Sequence, residues 1–159
     1  MEQSDIADQA VRNLRALILA GERYRQAISE YVGLGTTETQ AISYLTVHGD
    51  RGQNDLAADL GLSSGAATAL VDRLERQGIA ERHPHPSDRR RTLVRLTARG
   101  KSVVQESHQW LLAGFEDIPA ADLASTAAAL LSIADRLSEH SAEIFQRSAS
   151  APRDADLHG

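Results

Sequence analysis

The sequence predicts a mainly α-helical chain carrying one small β-hairpin. Apolar residues recur at helical spacing over most of the 159 residues. That period gives way to alternating faces only between Ile79 and Leu96, on either side of a loop with two prolines. Just before the hairpin, two short helical segments are separated by a turn at Gly61, the spacing of a helix-turn-helix.

Each element follows in order. From Ser4 to Val32, Ile6, Ala10, Leu14, Leu17, Ile18, Tyr24, Ile28 and Tyr31 form one stripe of a long helix, with Ser4 or Asp5 as its cap. Gly33 and Gly35 stop it. Thr36 or Thr37 is expected to cap a second helix that runs through Ala41, Ile42 and Leu45 to His48. Gly49-Asp50-Arg51-Gly52 reads as a turn or a very short strand. Gln53 or Asn54 opens a short helix through Leu56, Ala57 and Leu60, and Ser63 or Ser64 caps the next, which carries Ala67, Leu70, Val71 and Leu74 up to Gly78. Residues 79–83 and 92–96 are the two strands. Thr97 caps a further helix from about Ala98 through Trp110 and Leu111, Pro119 interrupts, and a last helix runs from about Ala121 to Phe145. The small, polar stretch from Ser148 is expected to be disordered. Together these make a winged helix-turn-helix, the hairpin being the wing, flanked by N- and C-terminal helices. Those flanking helices carry apolar stripes with no partner inside a compact centre, so burial against a second copy is expected.

The charge distribution points to a polyanion. The net charge is −5, yet between Arg51 and Lys101 ten Lys/Arg stand against six Asp/Glu, a surplus of four positive charges; the remainder therefore carries nine negative ones. A helix-turn-helix directs the first side chains of its second helix at base edges in the major groove. Here these are Ser63, Ser64, Ala66, Ala67 and Thr68, short enough for close backbone approach, with hydroxyls for base edges and methyls for thymine. At the hairpin tip Arg89, Arg90 and Arg91 follow Pro84, Pro86 and Asp88. Three adjacent guanidiniums repel one another and cannot be buried, and arginine suits narrow, electronegative minor grooves.

Leu56-Ala57, Leu60-Gly61-Leu62-Ser63, Val71-Asp72-Arg73-Leu74-Glu75, Gly78-Ile79, Arg82, Asp88-Arg89-Arg90, Val94, Leu96-Thr97 and Gly100 together resemble the MarR family of bacterial regulators. The resemblance implies an obligate homodimer on double-stranded DNA with a pseudo-palindromic operator, most often as a repressor. It implies an N-terminal dimerisation helix over 1–35, a DNA-binding domain over 36–100, C-terminal dimerisation helices over 101–147 and a tail over 148–159. Arg90 is then the residue entering the minor groove, and Asp88 pairs with Arg73. Arg91 departs from the family pattern, where a small residue is usual. Many members release DNA on binding a small aromatic or phenolic molecule. By position Tyr24, Tyr31, Tyr44, His48 and Trp110 are the candidates for such a pocket.

Other classes find little support. With no cysteine, disulfides, thiolate metal sites and thiol nucleophiles are excluded. Six histidines do not form a close ligand cluster, so neither metal nor cofactor is expected. There is no glycine-rich phosphate loop, nucleophile elbow or His-Glu-x-x-His segment, and an enzyme is not expected. The opening residues lack the basic start and apolar block of a signal peptide, and no run suits a bilayer, so the expected location is cytoplasmic, away from any membrane. The alternative is a protein-interaction module with the same fold that has lost specific DNA binding.

Overall fold

The computed structural model describes residues 3–88 and 90–150. The element order is α1 (Gln3–Val32), α2 (Thr36–His48), β1 (Arg51–Gly52), α3 (Gln53–Asp59), α4 (Ser64–Arg76), β2 (Ala80–Pro84), β3 (Thr92–Leu96), α5 (Ala98–Ala113) and α6 (Leu123–Ser150). The chain is thus mainly helical with one small antiparallel sheet, ordered β1-β3-β2. β2 and β3 form the expected hairpin, Arg82 opposite Val94 and His83 opposite Leu93, and Arg51-Gly52 adds a two-residue third strand on the far side of β3.

The chain divides after Trp110 into two compact units. In the first, Ala41, Ile42 and Leu45 of α2, Leu56 of α3, Leu70, Val71 and Leu74 of α4, and Ile79, Ala80 and Val94 of the hairpin and its approach form one buried cluster. The helical period of α4 turns Ala67, Leu70, Val71 and Leu74 inward together. Gly61 makes the turn between α3 and α4. Its φ of +64° is a left-handed conformation that a side chain would strain. There the Leu62 amide donates to the Ala57 carbonyl at 2.8 Å and the Gly61 amide to that of Ala58 at 3.1 Å, closing α3 in a Schellman motif. The second unit holds the turn after Ala113 and α6, along which Leu123, Leu131 and Leu137 are exposed.

Two helix ends differ from expectation. Neither Thr36 nor Thr37 caps α2; Gly35 occupies that position and, lacking a side chain, offers no side-chain acceptor, while a β-carbon there would run into the Glu38 carboxylate. α6 continues to Ser150, so residues 148–150 of the tail expected over 148–159 are helical rather than disordered, and its remainder, 151–159, lies outside the described residues. Two other caps are as expected. Ser63 Oγ accepts from the Ala66 amide at 3.2 Å, and Thr97 Oγ1 accepts from the Gly100 amide at 3.1 Å.

Candidate nucleic-acid interface

The candidate surface begins at the first turns of α4. Ser63, Ser64, Ala66 and Thr68 are exposed there, as expected. Ala67 is not. It is 1% exposed and packs inward, so the sequence expectation of an Ala67 contact is corrected. The reason is the helical period, which puts Ala67 on the face of Leu70, Val71 and Leu74. The same period carries the outward face on to Ala69, Asp72 and Arg76, which the sequence reading missed although the spacing was available.

The wing is a turn organised by Asp88. Its Oδ1 accepts from the Arg90 amide at 3.0 Å, and its carbonyl accepts from the Arg91 amide at 2.9 Å. An aspartate two residues ahead of an amide closes such a turn on itself. Asp88 therefore shapes the tip and makes no ion pair with Arg73, which corrects the pairing expected from the resemblance. Arg73 turns instead toward α2, its Nε donating to Glu38 Oε1 at 2.5 Å. The Glu38 side chain is only 8% exposed, so this cation answers an otherwise unpaired carboxylate in the core. No sequence signal marked Glu38, since the pairing spans 35 residues. Arg90 and Arg91 are exposed, Arg91 reaching Asp55 Oδ2 at 3.5 Å, and Arg89 lies outside the described residues.

One guanidinium joins wing and helix. Arg82 of β2 pairs with Glu75 of α4 through Nη1 and with Asp72 of α4 through Nη2 at 2.8 Å. Its backbone amide donates to Glu75 Oε1 at 2.9 Å. Its Nε and Nη2 also donate to Gln53 Oε1 at 3.2 and 3.1 Å, and Gln53 Nε2 donates to Thr68 Oγ1 at 2.8 Å. Gln53, Arg82, Arg90 and Arg91 line a single polar cleft of about 330 Å³. The wing arginines and the outward face of α4 thus meet around Gln53, another residue without a sequence signal for this role.

The five aromatic and imidazole candidates fall into three local contacts. Tyr31 and Trp110 meet edge to face at 4.9 Å, Tyr44 and His48 lie 5.5 Å apart, and the Tyr24 hydroxyl donates to the Ser107 carbonyl at 2.9 Å. Burial raises the Tyr24 phenol above its ordinary value near 10.0, the Ser107 hydrogen bond acting weakly against it. A second cleft of the winged unit, about 500 Å³ and bounded by Leu45, Gly49, Arg95, Lys101 and Val104, is lined by none of the five. Among the described residues no group of three or more His, Cys, Asp or Glu is placed to hold a metal, and no helix is long and apolar enough to cross a membrane.

Comparison with known proteins agrees with this geometry. Residues 32–91, which span α2 to the wing, match the model of the MarR family. The chain is 36% identical over 102 residues to the uncharacterized HTH-type transcriptional regulator YcgE of Bacillus subtilis. That match covers 64% of this chain and 66% of YcgE, just under two thirds of its length. It is 26% identical to the multiple antibiotic resistance protein MarR of Salmonella typhimurium, covering 67% of this chain and 76% of that one. The fold is that of a MarR family protein from Bacillus stearothermophilus, with a TM-score of 0.66 at 20% identity over 87% of this chain and 99% of the other. Over residues 32–91 the chain thus matches the MarR family, and its fold is that of a winged helix-turn-helix protein of that family.

Proposed function

We propose that the chain is a homodimeric, cytoplasmic repressor that reads a pseudo-palindromic operator. In each copy the exposed first turns of α4, with Ser63, Ser64, Ala66 and Thr68, lie in a major groove. Arg90 enters the neighbouring minor groove, with Arg89 and Arg91 beside it. The observation that carries this reading is the cleft that brings Arg90 and Arg91 to Gln53, which in turn touches Thr68 on α4. Cations and short side chains on one continuous surface suit a duplex whose phosphates and base edges alternate.

The helices over 1–35 and 101–147 serve as the dimerisation region. Ile6, Leu17 and Ile18 on α1, and Leu123, Leu131 and Leu137 on α6, are exposed in the single chain, and apolar stripes of this length are unfavourable in water. A second copy related by a two-fold axis supplies a self-complementary partner and spaces two α4 helices for successive major grooves. A small aromatic or phenolic effector would act by favouring a dimer whose recognition helices are wrongly spaced. The surface that favours such a ligand is the Tyr31–Trp110 pair, which stays 66% and 45% exposed and offers a ring edge for stacking.

The test is a selection of binding sequences from a random duplex library, followed by anisotropy titration at two salt concentrations. The expected result is an enriched inverted repeat whose affinity falls with salt. Arg90→Ala should weaken binding by about 1–3 kcal/mol, the range for a good groove contact. Unchanged affinity of that variant removes the wing from the interface. Failure of the wild-type chain to enrich any sequence would point to a protein-interaction module.

A further inference from the structure

The hydrogen bonds around Gln53 run in one direction, and that direction decides what Thr68 can offer a base. Arginine carries only donors. The amide end of Gln53 that faces Arg82 must therefore be its oxygen, as the 3.1 and 3.2 Å contacts from Nη2 and Nε have it. The amide nitrogen is then left facing α4, where it donates to Thr68 Oγ1 at 2.8 Å. The one hydroxyl proton of Thr68 goes to the Ser64 carbonyl at 2.9 Å, the preceding turn of the same helix. Arg82 thus donates to Gln53, Gln53 to Thr68, and Thr68 to the backbone, so the single hydroxyl proton of Thr68 is assigned. The hydroxyl has no proton left for an acceptor on a base edge, and both of its bonds hold the side chain in one rotamer. Apart from one lone pair of the oxygen, the γ-methyl is the group of this exposed side chain left unengaged within the chain.

We infer that Thr68 reads DNA through its methyl group, as an apolar contact to the C5-methyl of one thymine in each half-site, and that Gln53 and Arg82 are the positioning residues that set this preference. The inference rests on the placing of α4 in the major groove argued above. Thymine is the base that presents a methyl there, so an apolar contact carries information. Donation from a free hydroxyl would instead favour the acceptor edges of guanine, adenine or thymine alike.

The probe is deoxyuridine, which pairs as thymine does and lacks only the methyl. Each thymine of the selected duplex is replaced in turn, and binding is measured for the wild-type chain and for Thr68→Val, Thr68→Ser and Gln53→Leu, with circular dichroism as the control for folding. Wild type should lose about fourfold at one thymine of each half-site, the scale of one apolar carbon removed from water. Thr68→Val keeps the methyl and should keep that penalty, whereas Thr68→Ser should abolish it there and nowhere else. Gln53→Leu should shrink the penalty at that same position, because the rotamer is then held by the Ser64 bond alone; a merely structural role would lower affinity evenly across all duplexes. The inference is overturned if Thr68→Ser retains the full penalty, if Thr68→Val loses it, or if no thymine methyl matters to the wild-type chain. A wild-type chain that enriches no duplex overturns the groove placement itself, so the two failures are told apart.

Discussion

Replacing Arg82 by methionine should lower stability by about 2 kcal/mol, since the guanidinium holds three elements together. It pairs with Glu75 and Asp72 on α4 and donates to Gln53 on α3, while its own side chain is only 25% exposed. Methionine keeps much of the apolar stem and removes the charge. Each partly exposed ion pair contributes up to about 1 kcal/mol, and the bonds to Gln53 a further 0.5–1.5 or so. Loss of the cation also leaves Asp72 and Glu75 as like charges one turn apart, worth a few tenths more. Partial exposure of both carboxylates, 52% and 34%, keeps the total near the lower sum. For a chain of this size the midpoint of thermal unfolding should fall by about 6 °C. Protomer concentration must be held constant in the scan, because association would move the midpoint too. Urea denaturation of Arg82→Met, Glu75→Gln and the double variant gives the coupling, expected near 1 kcal/mol. A coupling below about 0.3 kcal/mol would refute the reasoning, for the two side chains would then be neighbours without consequence.

Arg73→Ala should destabilise by about 2 kcal/mol, below the value for a fully buried pair because Arg73 itself is 41% exposed. Glu38→Gln in the same background should recover part of that loss in urea denaturation, since no buried charge remains. Gly100→Ala should cost about 1–3 kcal/mol, because a β-carbon there would fall well inside contact distance of the Ile79 carbonyl oxygen; a thermal midpoint equal to wild type would contradict the close approach. Tyr24 takes up its proton more readily folded than unfolded, so the stability it contributes is complete below pH 10.0 and drains away as pH rises through its higher folded value. Tyr24→Phe should flatten that alkaline decline, which denaturation at a series of pH values from neutral upward would show.

What could be read in the sequence were the features set by neighbours along the chain. The caps at Ser63 and Thr97, the inward stripe of α4 and the strands around the wing all depend on residues within a turn or two. Ala67 lies near the helix start, where base contacts are expected, but the helical period buries it. The Asp88 expectation failed for a related reason: a bond two residues away outcompetes a charge on another element. Glu38 and Gln53 were invisible because their partners lie far off in sequence, Arg73 and Arg82, and only the packing of α2 and α3 against α4 and the hairpin brings them near.

The start of α5 has a mechanical consequence. The Thr97 amide and hydroxyl both bond the Ile79 carbonyl, at 3.0 and 3.1 Å, and the hydroxyl also holds the Gly78 carbonyl at 2.6 Å, so α5 is pinned to the exit of α4. Further along, Ser107 and Trp110 of α5 touch Tyr24 and Tyr31 of α1. The stretch from Ala98 to Trp110 is a stiff rod of about 18 Å at the helical rise. It works as a strut: a tilt of about 10° would carry one end some 3 Å relative to the other, on that length. A displacement of the last third of α1, at Tyr24 and Tyr31, would therefore reach the exit of α4, the helix proposed to lie in the major groove.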